Sequence, residues 1–120
     1  MSIKAIRGAI CLQADTSAEM DGAVTELLTD ILERNSLTGD DLVSVLFTAT
    51  PDIHSAFPAS FARNIGLTDV PLICAQELDI NGALPLVIRV MVHVETNATR
   101  ADIKHVYLRG AEVLRQDIAQ

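Results

Sequence analysis

Cysteine is scarce in this 120-residue chain, which holds only Cys11 and Cys74. Two thiols cannot build a disulfide scaffold or a four-ligand metal site, and they point to a reducing cytoplasm. Basic charge is scarce as well: nine Lys and Arg stand against sixteen Asp and Glu, a net charge of −7 and a pI of about 4.7. A general nucleic-acid binder needs a basic surface, so that class is excluded. No long apolar run is present. The N-terminal Met1-Ser2-Ile3-Lys4-Ala5-Ile6-Arg7-Gly8 stretch lacks the long apolar run of a signal peptide. The most apolar window, Leu84 to Val94, is interrupted by Pro85, Arg89 and His93 and is too short to span a bilayer. These absences lead to the expectation of a soluble cytoplasmic protein. Also missing are a Gly-rich phosphate loop, a Gly-x-Ser-x-Gly elbow and a Cys-x-x-Cys pair. His54, His93 and His105 lie far apart without metal-ligand spacing, so no metal and no cofactor are expected. Tryptophan is absent, and the aromatic residues are Phe47, Phe57, Phe61 and Tyr107.

The chain has room for one domain, residues 1–120. Its 49% apolar and 21% charged residues are ordinary for a globular protein. Arginine outnumbers lysine seven to two. Either these arginines are placed to meet carboxylates with a planar fork, or the bias reflects a high-GC genome. Composition alone does not decide between them.

Read along its length, the chain begins with a strand over Ile3 to Leu12, mostly small or β-branched, with Arg7-Gly8 in its middle. Thr16 and Glu19 have the spacing of a capping box. Met20, Ala23, Val24, Leu27, Leu28, Ile31 and Leu32 then recur at three and four residues, which predicts a long helix ending at Asn35-Ser36. Its acids, including Glu19, Glu26, Asp30 and Glu33, read as a solvated face. Leu42 to Ala49 is the second strand, and Phe57-Pro58 opens a short helix reaching Ile65, with Gly66 past its end. Val70 to Glu77 is a third strand, and Leu78 to Ala83 a turn holding Asn81-Gly82. Leu84 to Thr96 is a fourth, nearly all apolar and expected to be central and buried on both faces. Thr99 to Asp102 is a tight turn, Lys104 to Leu108 a fifth strand, and Gly110 to Gln120 a tail of mixed character. The class is α+β: a mixed sheet of about five strands with one long and one short helix. One long helix covers one face, and an apolar second face predicts burial against other subunits.

Arg7 and Arg89 sit among aliphatic residues of two different strands. A guanidinium in such a place is tolerated only when paired and hydrogen-bonded. It either forms an internal ion pair with Glu77 or Asp79, or awaits an anionic ligand. Strand alternation puts Glu77 on the face of Ile73 and Ala75. Cys74 reads more readily as a small buried hydrophobe than as a nucleophile. Acid–base, covalent and metal mechanisms all lack candidates. A set of arginines with one glutamate suits the binding and electrostatic stabilisation of a small anion.

Five blocks, in order, closely resemble the monofunctional chorismate mutases of the trimeric, barrel-like type, from Ile3 to about Ile118. They are Ile6-Arg7-Gly8-Ala9; Ala49-Thr50-Pro51-Asp52-Ile53-His54 with Phe57-Pro58-Ala59; Val70-Pro71 with Cys74-Ala75-Gln76-Glu77; Ile88-Arg89-Val90-Met91; and His105-Val106-Tyr107-Leu108-Arg109-Gly110-Ala111 with Val113-Leu114-Arg115. The resemblance implies a homotrimeric pseudo-barrel with active sites between subunits. The implied reaction is the isomerisation of chorismate to prephenate, on the route to phenylalanine and tyrosine. Carried over residue by residue, Arg89 faces the ether oxygen of the breaking C–O bond. Arg7 and Tyr107 bind substrate carboxylate, Glu77 meets the substrate hydroxyl, and Cys74 lies nearby. Phe57 is a wall residue from the adjacent subunit and Arg63 a basic residue at the cleft mouth. Ile73 lines the site, and Leu114 and Arg115 belong to a covering tail. Two positions depart from the family pattern: Ser60 where a basic residue is frequent, which weakens long-range attraction for a dianion, and Ile73 where threonine is frequent. Imine and enamine deaminases of similar trimeric architecture, and a non-catalytic anion-binding trimer, are the alternatives.

Overall fold

In a computed structural model that describes residues 1–115, the sheet is laid down as β1 (Ser2–Cys11), β2 (Leu42–Ala49), β3 (Leu72–Gln76), β4 (Val87–Thr96) and β5 (Val106–Leu108). Helix α1 (Ser17–Arg34) joins β1 to β2, and α2 (Pro58–Asn64) joins β2 to β3. Three short 3-10 turns, Gly39–Asp41, Arg100–Asp102 and Ala111–Leu114, complete the path. Among the described residues no helix is long and apolar enough to cross a membrane.

The long helix starts where its capping residues say it should. Thr16 Oγ1 accepts the Glu19 N–H at 3.1 Å, which satisfies one of the free donors of the first turn. Met20, Ala23, Val24, Leu27, Leu28 and Ile31 form its buried stripe. At the far end Asn35 ties the helix to the approach of β5. Its amide donates to Ile31 O at 2.8 Å and Lys104 O at 2.9 Å and accepts the Lys104 N–H at 2.8 Å.

The strand order is β3-β2-β4-β1-β5. β4 is central and antiparallel to both β1 and β2, while the outer strands β3 and β5 run parallel to β2 and β1. Both helices lie on one face: α2 packs on α1 and β3, and its Ala59 and Ala62 share a core with the α1 stripe, Ile6, Ile10, Phe47, Ile88, Val90, Val92 and Val94.

The fourth strand is central as expected, and within one chain only its helix-side face is buried. Its even positions lie under α1, whereas Arg89, Met91 and His93 on the opposite face are half-covered. That face is also less apolar than the sequence suggests. Ile3, Leu46 and Ile73 are exposed there, yet they alternate with Arg7, Ser44, Thr48, Arg89 and His93. β4 begins at Val87 rather than Leu84 because Leu86 takes a left-handed conformation (φ 53°) with its N–H on the Asp52 carboxylate. β3 is shorter than expected, starting after Pro71. Of the tail, Ala111–Leu114 forms a 3-10 turn, and 116–120 lie outside the described residues.

Candidate active site

The cross-strand register gathers the charged groups. Arg89 is paired with Thr48 on one side and Ala9 on the other, and Ala9 is paired in turn with Tyr107. Thr48, Arg89, Ala9 and Tyr107 thus form one row across four strands on the face that α1 leaves open. At the usual strand spacing, Arg89 and Tyr107 start about 10 Å apart, with the small, fully buried Ala9 between them under the Tyr107 ring. Arg7 is two residues along β1 from Ala9 and faces the same way. Glu77 enters from the end of β3, where its N–H donates to Ala49 O at 2.9 Å and fixes its approach. Arg7, Glu77 and Arg89, with Gly8, Leu46, Thr48, Val90 and Met91, line a cavity of about 240 Å³.

Arg89 Nε lies 3.0 Å from Glu77 Oε1. The contact is close enough for an ion pair but lacks the alignment of a hydrogen bond, and the other carboxylate oxygen, Glu77 Oε2, is buried with no hydrogen-bond partner among the described residues. Tyr107 is in a similar state: its ring packs on Ala9, Val87 and Ala111, and its hydroxyl is buried with no hydrogen-bond partner among the described residues. A buried polar atom with no partner costs about 1–3 kcal/mol, a penalty that the nearby carboxylate offsets at Arg89 Nε but not at Glu77 Oε2 or the Tyr107 hydroxyl. On this one face Arg89 and Tyr107 can donate to an anionic group and Glu77 Oε2 can accept from a hydroxyl.

The remaining expected residues fall into two groups. Leu114 packs beside Tyr107 at the end of the last 3-10 turn, and Arg115 follows it, near enough to act on His105. Ile73 is 64% exposed on the outer strand, on the same open face. Cys74 points the other way, against the helix-side core, and lines a separate cavity of about 520 Å³ with Phe57 and Ser60. Phe57 is 72% exposed at the start of α2, and Arg63 is exposed near its end. Within one chain, therefore, Phe57, Arg63 and Cys74 are not brought to Arg7, Glu77 and Arg89.

Sequence reasoning missed Thr48, Leu46, Met91 and His105. The first three follow from alternation once the strand order is known. His105 Nδ1 accepts the Arg7 backbone N–H at 3.0 Å, so the imidazole helps to fix the strand that carries Arg7. Burial first, then the Arg7 and Arg115 guanidinium groups, hold its pKa below the usual histidine value.

With this geometry established, the chain can be set against known proteins. The family model for chorismate mutase type I matches residues 3–118. The chain is 42% identical to the chorismate mutase AroH of Bacillus subtilis, over 99% of this chain and 94% of that protein. It is 44% identical to the chorismate mutase AroH of Thermus thermophilus, over 97% and 96%. A solved chorismate mutase from Clostridium thermocellum superposes with a TM-score of 0.90 at 46% identity, covering 92% of this chain and 98% of that one.

Proposed function

The chain belongs to the chorismate mutase type I family and isomerises chorismate to prephenate; we propose that it does so on the open sheet face, with Arg89, Glu77 and Arg7 as the working groups. The observation that supports this reading is the cavity that brings Arg7, Glu77 and Arg89 together on one sheet face, with the Arg89–Glu77 ion pair on its wall.

The rearrangement is pericyclic and unimolecular. No proton moves and no covalent intermediate forms, so the site needs neither acid, base nor nucleophile. It must hold flexible chorismate in a compact diaxial conformer. It must also stabilise charge separation as the C–O bond lengthens. Arg89 donates to the ether oxygen, where negative charge grows. Glu77 takes the ring hydroxyl and faces the fragment where positive charge grows. Arg7 and Tyr107 hold carboxylate. The Arg89 ion pair to Glu77 is made through a poorly aligned Nε, so ligand can take the guanidinium donors without breaking a good hydrogen bond. Such preorganised donors are worth roughly 3–4 kcal/mol each in a dry site.

The site is completed, on this reading, by a second copy in a trimer. Phe57, Arg63 and Cys74, which one chain keeps away from the Arg89 cavity, supply the wall and mouth of the neighbour's site. Ile73 lines the cleft, and Leu114 and Arg115 cover it. The unpaired thiols Cys11 and Cys74 fit a reducing cytoplasm. The family match sets the imine and enamine deaminase alternative aside. Loss of chorismate absorbance with stoichiometric appearance of prephenate is the test. Binding of chorismate without its consumption would leave only an anion-binding protein.

A further inference from the structure

We infer that Arg109 is a positioning residue that clamps the 110–115 segment over the substrate site, through an ion-pair buckle to two carboxylates of α1. Arg109 Nη1 lies 3.2 Å from Glu19 Oε1 and Nη2 lies 2.7 Å from Glu26 Oε1. Glu19 and Glu26 are seven residues apart, so they stand two turns apart on one face of the helix, and one guanidinium spans both. Glu19 Oε1 is itself fixed by the Gln13 N–H at 3.1 Å. Two of the helix acids that read as a solvated face therefore hold the end of β5.

The backbone at this point explains what the buckle does. Arg109 has φ 54° and Gly110 φ 96°, two consecutive left-handed residues. For glycine that conformation is free of a Cβ penalty, but for arginine it is strained and persists only where surrounding contacts impose it. The double left-handed step turns the chain sharply after β5. The Arg109 side chain stays with α1 on the helix layer, while Ala111 and Leu114 come down on the opposite face against Tyr107, Ala9 and Val87. The buckle thus sits on one side of the sheet and its consequence on the other. Losing it frees the turn and lets the cover lift from Tyr107, while Arg7, Glu77 and Arg89 stay on their strands.

The inference rests on the mutase reading of the open face, and the experiment separates the two. Wild-type protein is first assayed for chorismate turnover; none would overturn the reading of the site and the inference together. Given turnover, Arg109→Ala and Arg109→Gly are compared with it. Glycine accepts the left-handed conformation without strain, so that variant loses the clamp without any backbone strain of its own. Both should raise KM about 3- to 10-fold with kcat within about twofold of wild type, the pattern of lost uniform binding. The paired change Glu19→Gln with Glu26→Gln, which keeps the Glu19 acceptor for the Gln13 N–H, should raise KM equally. Adding Arg109→Ala to it should change nothing more. Wild-type KM in Arg109→Gly, additive effects in the combined variant, or a loss confined to thermal stability would each overturn the clamp while leaving the mutase reading intact.

Discussion

Under the proposed mechanism, replacing Arg89 by alanine takes away the donor assigned to the ether oxygen and should lower kcat by about 10²–10³-fold, the usual scale for one lost oxyanion donor. Arg89→Lys should recover little, because a flexible ammonium does not reproduce a fixed planar donor. Steady-state turnover of chorismate checks both, and near-normal kcat in Arg89→Lys would remove the electrostatic role from Arg89. A second residue links site and stability. His105 is neutral while it accepts the Arg7 N–H, and its pKa is lowered by burial and by Arg7 and Arg115. The unfolded chain takes up a proton at this position near pH 6.5, whereas the folded chain resists it. The contribution of His105 is therefore fully present above that pH and falls away as pH drops below it. Thermal midpoints measured from pH 7.5 down to 5 should decline, and His105→Asn, which offers an acceptor that does not titrate, should flatten that part of the curve. An unchanged slope in the variant would contradict the assignment.

At Gly8, beside Arg7 on β1, the strand leaves no room for a side chain against α1 and β5. A methyl group there would lie 3.0 Å from the Val106 carbonyl oxygen and from Ile31 Cδ1, and 3.2 Å from Leu27 Cδ1. Since a backbone oxygen cannot swing aside, Gly8→Ala should destabilise the fold by about 1–3 kcal/mol, the range for an overpacked core. A thermal midpoint equal to wild type would show that the layers have slack. What could be read from the sequence at this scale followed local chemistry. The Thr16 cap, the apolar stripe of α1 and both ends of β2 are written in near neighbours. What could not be read depends on distant partners. Val87 as the start of β4 is set by Asp52 receiving the Leu86 N–H, thirty-four positions away. The buckle joins Arg109 to acids some eighty to ninety positions earlier. Glu19 also illustrates the limit. Its spacing from Thr16 marks the helix start correctly, yet its carboxylate serves Gln13 and Arg109 rather than closing the box. Among the site residues, Arg7 and Arg89 stood out as charges in apolar strands. Thr48 and Met91 did not, because nothing local says which strands are neighbours.

At the scale of the whole molecule, the sheet carries its helices on one face and its charged cavity on the other, and the expected site residues are split between them. Arg7, Glu77, Arg89 and Tyr107 share the open face, while Phe57 and Arg63 belong to the helix layer. The proposed site shared between copies of the chain would account for that division, since a closed ring gives every site one half from each of two partners. The most direct measurement is chorismate turnover in mixed assemblies of two crippled variants, Arg89→Ala and Phe57→Ala/Arg63→Ala, unfolded together in equal amounts and refolded. Independent assortment of halves gives one intact site in about four, so activity should return toward a quarter of wild type. Activity no higher than the sum of the two variants, in preparations where mixed assemblies demonstrably form, would place the whole site within a single chain and contradict the account.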